Sequence, residues 1–203
     1  DMPRYEALLK AFAARTVFAK EKKEGGTMIE ELRFRLPAAE DAAEYTSYRQ
    51  EFLDAGSSMD GTGSMRRTGD VTEWLAINAQ YADPATVPEG KVQSTQFVCE
   101  RVSDGRIVGM LQVRLALNDY LLRYGGHIGY SVRPDERRKG YASWMLAQAL
   151  DYCRSQGLEK VLITCLDTNE ASRRTILHAG GVYESTEPEP DENENLERYW
   201  IAL

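Results

Sequence analysis

The stretch Ser131-Val132-Arg133-Pro134-Asp135-Glu136-Arg137-Arg138-Lys139-Gly140-Tyr141-Ala142 gathers more chemistry than any other in this chain. Three consecutive cations, Arg137, Arg138 and Lys139, lead into Gly140 and Ala142, which carry almost no side chain. Beyond them, Ala142, Met145, Leu146, Ala149, Leu150 and Cys153 recur at helical spacing, which predicts a helix over 141–155 closed by Gly157. A helix start presents unpaired amides at the positive end of the dipole. Small residues let phosphate oxygens approach those amides, and flanking cations add charge. The segment therefore has the makings of a diphosphate cradle, although not of the Walker type. A solvated basic turn capping a helix would use the same residues, and charge alone does not separate the two.

Other reactive side chains are sparse. The two histidines, His127 and His178, lie too far apart for an HExxH site, and no Walker or G-x-G-x-x-G motif occurs. Cys99, Cys153 and Cys165 are widely spaced, without CxxC, each in an apolar run, as befits reduced core cysteines with no metal role. The net charge of −7, from 25 Lys+Arg against 32 Asp+Glu, argues against nucleic-acid binding. No apolar stretch is long enough to span a bilayer and no secretory leader is visible, so the expectation is a soluble, cytoplasmic protein.

The elements that must position the cradle follow from periodicity and punctuation. In a chain of 203 residues the main body is expected over 28–203, with 1–27 as an N-terminal extension. That extension holds six basic and four acidic residues, and Leu8, Phe12, Val17 and Phe18 after Pro3 suggest an amphipathic helix ending at Gly25-Gly26. Strand-like runs are expected at 29–36, 96–102, 106–117, 126–133, 161–165, 182–185 and 199–203. Helices are expected over 38–53, 71–81, 141–155 and 170–179, the second opened by Asp70 with Glu73 three residues on. A Gly-, Ser- and Met-rich loop spans 57–69, and an acidic loop carries Glu184, Glu187, Glu189, Asp191, Glu192, Glu194 and Glu197. The order predicts a mixed α/β (α+β) domain, a mostly antiparallel sheet flanked by helices, with the extra N-terminal helix.

Arg137-Arg138-Lys139-Gly140-Tyr141-Ala142 resembles the Gln/Arg-x-x-Gly-x-Gly/Ala signature of the GNAT family of N-acetyltransferases. The flanking strand and helix agree, and Asn169-Glu170-Ala171-Ser172 is similar to the family's Asn-x-x-Ser entry to the next helix. Gly125-Gly126-His127-Ile128-Gly129-Tyr130 and Arg198-Tyr199-Trp200-Ile201 most resemble a bacterial group of predicted acetyltransferases within that family.

The resemblance implies acetyl-CoA as co-substrate, no metal, a small-molecule or peptide amine as acceptor, and the dimerisation common in this fold class. By position, Ser131, Val132 and Arg133 would offer strand backbone to the pantetheine. Arg137, Arg138, Lys139, Gly140, Tyr141, Ala142 and Ser143 would hold the pyrophosphate, and Asn169 and Ser172 would approach the thiol end. The strands over 126–132 and 161–165 would splay into a slot for the pantetheine arm. Family chemistry is direct attack by the amine, so the cysteines need no nucleophilic role.

Direct transfer requires a route for the amine's proton, a donor to the developing oxyanion, expected near Val132, and an acid for the thiolate. The family's usual acid is a Tyr seven residues beyond the Asn; here that position is Ile176. Tyr199 is the candidate acid in its place, with Tyr130 and Tyr183 as alternatives and unaided departure of the thiolate as another. His127, whose ordinary pKa suits proton acceptance near neutrality, is the candidate base, against a purely structural role for a hydrogen-bonded strand histidine. Glu100 is a second candidate base, and His178 is expected at a helix end. Trp74, Tyr81, Trp144 and Trp200 are expected in core packing before any acceptor pocket. The reading is an acetyl-CoA-dependent N-acetyltransferase. The alternative is an acyl-CoA binding or sensing protein that has lost catalysis, which Ile176 would favour.

Overall fold

The computed structural model describes residues 18–21, 27–191 and 193–203. Strands are β1 (Phe18–Glu21), β2 (Thr27–Glu30), β3 (Leu32–Arg35), β4 (Ser94–Arg101), β5 (Arg106–Arg114), β6 (Ile128–Val132), β7 (Lys160–Leu166), β8 (Val182–Glu189) and β9 (Glu194–Ala202). Helices are α1 (Ala42–Asp54), α2 (Val71–Ala82), α3 (Tyr141–Ser155) and α4 (Glu170–His178). Local signals act where they were read: Asp70 Oδ1 accepts from the Glu73 amide at 2.8 Å to open α2, and Asn169 Oδ1 accepts from the Ser172 amide at 3.1 Å to open α4.

β3-β4-β5-β6 form one antiparallel sheet and β7-β9-β8 a second, while β1 and β2 make a separate hairpin. The central strands β4 and β5 are buried on both faces, with apolar runs at Phe97–Cys99 and Ile107–Leu111 and with Ser94, Thr95 and Gln96 buried beside them. On one face Val98, Ile107 and Met110 pack with Tyr45, Tyr48, Phe52 and Trp74 of α1 and α2. On the other, Phe97, Cys99, Leu111 and Val113 join Met145, Leu146 and Ala149 of α3, and this cluster continues to Val161, Ile163, Ile176, Tyr199 and Ile201 of the second sheet and α4. α3 thus connects the sheets through its apolar face.

Three expectations change. The helix expected in the extension falls outside the described residues over 1–17 and 22–26, but its Phe18 belongs to a strand, Phe18–Glu21, paired with Thr27–Glu30. The run 29–36 is broken at Glu31 into β2 and β3. The acidic loop is largely a hairpin: β8 and β9 pair from Val182↔Trp200 to Glu189↔Glu194. Carboxylates tolerate this because most of β8 is exposed, and backbone pairing to β9 outweighs their weak strand preference.

Candidate active site

The backbones of the two sheets join at one place among the described residues. His127 N–H donates to the Leu162 carbonyl at 2.7 Å, and among the described residues this is the single backbone hydrogen bond between the β6 and β7 segments. Beyond it the strands no longer pair, which leaves a slot with one wall from each sheet. Gly126 permits the contact: at φ 65° it lies so close that a Cβ would fall 2.6 Å from the Leu162 carbonyl oxygen. The bonds Arg114 N–H to His127 O and Arg133 N–H to Val108 O direct the backbone groups of Gly129, Ser131 and Arg133 toward β5, while His127 turns only its carbonyl that way. The polar groups of Ile128, Tyr130 and Val132 therefore face the slot.

At the end of β6 the chain makes a 3-10 turn, Pro134–Glu136, then passes through Arg138 at φ 63° and Gly140 at φ 88° before α3 begins. A left-handed arginine is uncommon and stores backbone strain at a turn that aims amides outward. Glu136, 3% exposed, anchors the turn by accepting from Arg101 at 2.9 Å, Arg106 at 3.0 Å and Lys139 at 2.5 Å. Burial opposes its ionisation, but the bonds from Arg101 and Lys139 outweigh burial and hold the carboxyl below its usual range. Arg137 donates to Val132 O at 3.1 Å and Ser57 Oγ at 2.8 Å, and lies over the Phe52 ring. Arg138 is exposed and has no ion-pair partner among the described residues. From Gly140 a groove of about 540 Å³ runs between α3 and α4, lined by Ser143, Trp144, Thr175 and His178.

The sequence-derived assignments divide on this geometry. Gly140 and Ser143 line the groove, with the Tyr141 and Ala142 amides in the same first turn of α3, while Val132 ends β6 and Arg138 lies in the turn between. The Tyr141 side chain is buried and donates to Glu30 at 2.8 Å. Ser131 and Arg133 are corrected. Both turn their backbone toward β5; Ser131 Oγ lies 2.9 Å from the Tyr48 hydroxyl, and the Arg133 side chain is buried on Glu44 and Glu51, each at 2.8 Å. Asn169 has its oxygen committed to the α4 cap, while Ser172 Oγ lies 2.8 Å from the Tyr130 hydroxyl.

His127 is corrected as the base. Its Nδ1 accepts the Leu162 amide at 2.8 Å, so a neutral ring carries its proton on Nε2 and has no lone pair left to accept another. Burial, reinforced by the Arg114 charge, lowers its pKa to about 4. Tyr199 is corrected as the acid: its hydroxyl donates to Glu197 at 2.7 Å, with its pKa raised to about 12 by burial and then by that carboxylate. Glu100 is bound by Arg35 at 2.8 Å on β4, away from the slot. Ile176 is wholly buried in the core. All three cysteines are free and buried, and burial raises the Cys165 thiol to about 11, so no thiolate is available near neutrality. Trp74 is a core residue, whereas Trp144 lines the groove.

Two features were not legible beforehand. Loop 57–69 docks onto β6, where a Cβ on Gly61 would sit 2.4 Å from the Gly129 carbonyl oxygen. This brings the Asp60 charge to bear on Tyr130 and Arg114. The Tyr130–Ser172 contact crosses from β6 to α4; the only advance signal was a tyrosine on the slot strand and the Asn-x-x-Ser motif.

Residues 64–180 match the family model described as Acetyltransferase (GNAT) family. No curated protein matches the chain. Among solved structures, Mycobacterium smegmatis RimJ in complex with CoA-disulfide is similar at 24% identity and TM-score 0.65, over 95% of this chain and 89% of that one. The ribosomal-protein-S5-alanine acetyltransferase of Vibrio fischeri matches at 16% identity and TM-score 0.65, over 91% of this chain and 96% of that one. The protein yncA of Salmonella typhimurium, described with its cofactor acetyl-CoA, matches at 17% identity and TM-score 0.58, over 85% of this chain and 94% of that one.

Proposed function

The chain belongs to the acetyltransferase (GNAT) family, and from that premise we propose that it transfers the acetyl group of acetyl-CoA directly to a primary amine of a small molecule or peptide. The observation that carries this reading is the junction of slot and cradle, where β6 and β7 part beside a left-handed turn that opens α3. Residues 28–203 form the acetyltransferase domain in this reading, with 1–27 as an appendage.

The residues present fit the donor. Arg137, Arg138 and Lys139, with the first-turn amides of α3, hold the diphosphate, and the groove beside Ser143 and Trp144 takes the rest of the nucleotide end. The slot-facing backbone groups of Tyr130 bind an amide of the pantetheine arm. When bound, acetyl-CoA supplies a thioester whose acetyl carbon accepts the amine and whose sulfur departs. The Val132 N–H, fixed in the strand, is placed to donate to negative charge developing on the acetyl oxygen, with no reorganisation at that moment. Asp60 brings a carboxylate toward this region, which favours a cationic acceptor. The alternative, an acyl-CoA binder without turnover, draws support from buried Ile176 and from the occupied groups of His127 and Tyr199.

Thermal unfolding with acetyl-CoA tests the reading. At about 100 times Kd the ligand adds roughly 2.7 kcal/mol, or about 5–10 °C for a domain this size. Arg138→Glu, which alters an exposed side chain, is expected to remove most of the shift while leaving the unliganded midpoint in place. Release of free CoA with spermidine or an alanyl peptide, amines suggested by the structural neighbours, then separates enzyme from binder. No shift in the folded wild type would sink the proposal.

A further inference from the structure

We infer that the Tyr130 hydroxyl, paired with Ser172 Oγ, is the proton donor to the departing CoA sulfur; this rests on the acyl-CoA reading above. Tyr130 lies on β6 three positions beyond His127, where the sheets touch, and its backbone faces the slot. Its side chain reaches across to the first turn of α4, where the hydroxyl lies 2.8 Å from Ser172 Oγ and close enough to Thr175 and Cys165 to be influenced by both. The side chain thus reaches from β6, one wall of the slot, to the first turn of α4.

The remaining tyrosines near the two sheets are engaged elsewhere. Tyr199 donates to Glu197, Tyr141 to Glu30, and Tyr48 bonds Ser131. Tyr183 lies on the outer strand, 2.8 Å from Thr186. The Tyr130 hydroxyl has the Ser172 hydroxyl as its near partner at 2.8 Å and the Ser172 carbonyl at 3.4 Å, and the near one can turn from acceptor to donor within the pair as a carboxylate cannot. Burial raises the Tyr130 pKa to about 12, so the group holds its proton at neutral pH. The titratable groups acting on it are Cys165 and Asp60, both of which oppose its ionisation.

The step balances. As the amine nitrogen bonds to the acetyl carbon, the C–S bond breaks and its electron pair goes to sulfur. The Tyr130 O–H proton, directly or through Ser172 Oγ, forms the new S–H bond, and the resulting phenolate recovers a proton of the kind the amine has released to solvent. Position 176 is then free to remain a core isoleucine.

The test reads the thiol of bound CoA itself, so no acceptor is required. Reduced CoA is titrated in complex with the protein by thiolate absorbance, with the desulfo-CoA complex as the blank that removes tyrosinate signal. A donor aimed at sulfur stabilises the thiolate, so the bound thiol should titrate roughly one pH unit below free CoA. Tyr130→Phe should return it to the free value, and Ser172→Ala should move it in the same direction. With an active amine, Tyr130→Phe should lower kcat about 100-fold with the KM for acetyl-CoA little changed. CoA bound with the same thiol pKa in wild type and both variants overturns the inference. Absence of CoA binding by wild type overturns the acyl-CoA reading and this one with it, and the two failures are distinguished by whether CoA is bound.

Discussion

At His127 the residue type invites a catalytic reading, and one hydrogen bond decides against it. A sequence shows that an imidazole stands on the slot strand; it does not show that the Leu162 amide, 35 positions away, will occupy its only lone pair. Arg133 is a parallel case, a cation of the motif segment drawn under α1 by Glu44 and Glu51. The His127 environment has a measurable consequence. The unfolded chain binds a proton at the ordinary histidine pKa of about 6.5, whereas the folded one resists until about 4. Stability is therefore fully present above about pH 6.5 and is lost as pH falls through that window. At pH 5 the loss amounts to about 2 kcal/mol relative to pH 7. Urea unfolding of wild type and His127→Gln at both pH values should show the wild-type drop exceeding the variant's by that amount; equal drops would mean that the ring is not held neutral.

Among the elements, those with strong internal signals were legible and those made by partners were not. The α3 helix spans Tyr141–Ser155 as its apolar spacing indicates, and α4 begins after its Asn cap. By contrast, β8 and β9 carry carboxylates that read as a loop, and only their mutual pairing makes them strands. The five-residue π-helix at Leu121–Gly125, just before the point where the sheets meet, left no signal in composition. It delivers Gly126 to a position where backbone meets backbone. Gly126→Ala should therefore be destabilising by roughly 2–4 kcal/mol, combining left-handed strain with a clash that no side chain can relieve. Gly157→Ala provides the comparison, since φ there is 84° but nothing lies within 4 Å of the added carbon. Its cost should be confined to about 1 kcal/mol. Similar losses for the two variants in chemical denaturation would show that the meeting point of the sheets tolerates displacement. A larger loss at Gly126, together with weaker acetyl-CoA binding, is the expected result.

On the scale of the whole molecule, the two sheets share one backbone hydrogen bond among the described residues, yet they also share one apolar cluster. Class and element order were legible because each element carries its own pattern, but the break between β6 and β7 is a property of their relation and has no residue of its own. The cluster runs from Phe34 and Phe97 in the first sheet through α3 to Val161 and Ile201 in the second. Neither sheet can bury its inner face without the other, so cooperative loss of both is expected. The tryptophans allow a direct test, because Trp74 lies in the separate α1–α2 cluster and Trp200 on the second sheet. Variants that retain one tryptophan each, unfolded in urea, should give coincident midpoints. A ligand lodged between the sheets contacts both, so acetyl-CoA should raise both midpoints together. If the second sheet melted first, the Trp200 midpoint would fall below that of Trp74, and only the Trp200 midpoint would respond strongly to ligand. Coincidence in both conditions identifies the slot as a seam within one cooperative unit, pinned at one end by the hydrogen bonds between His127 and Leu162 and closed by the cofactor that occupies it.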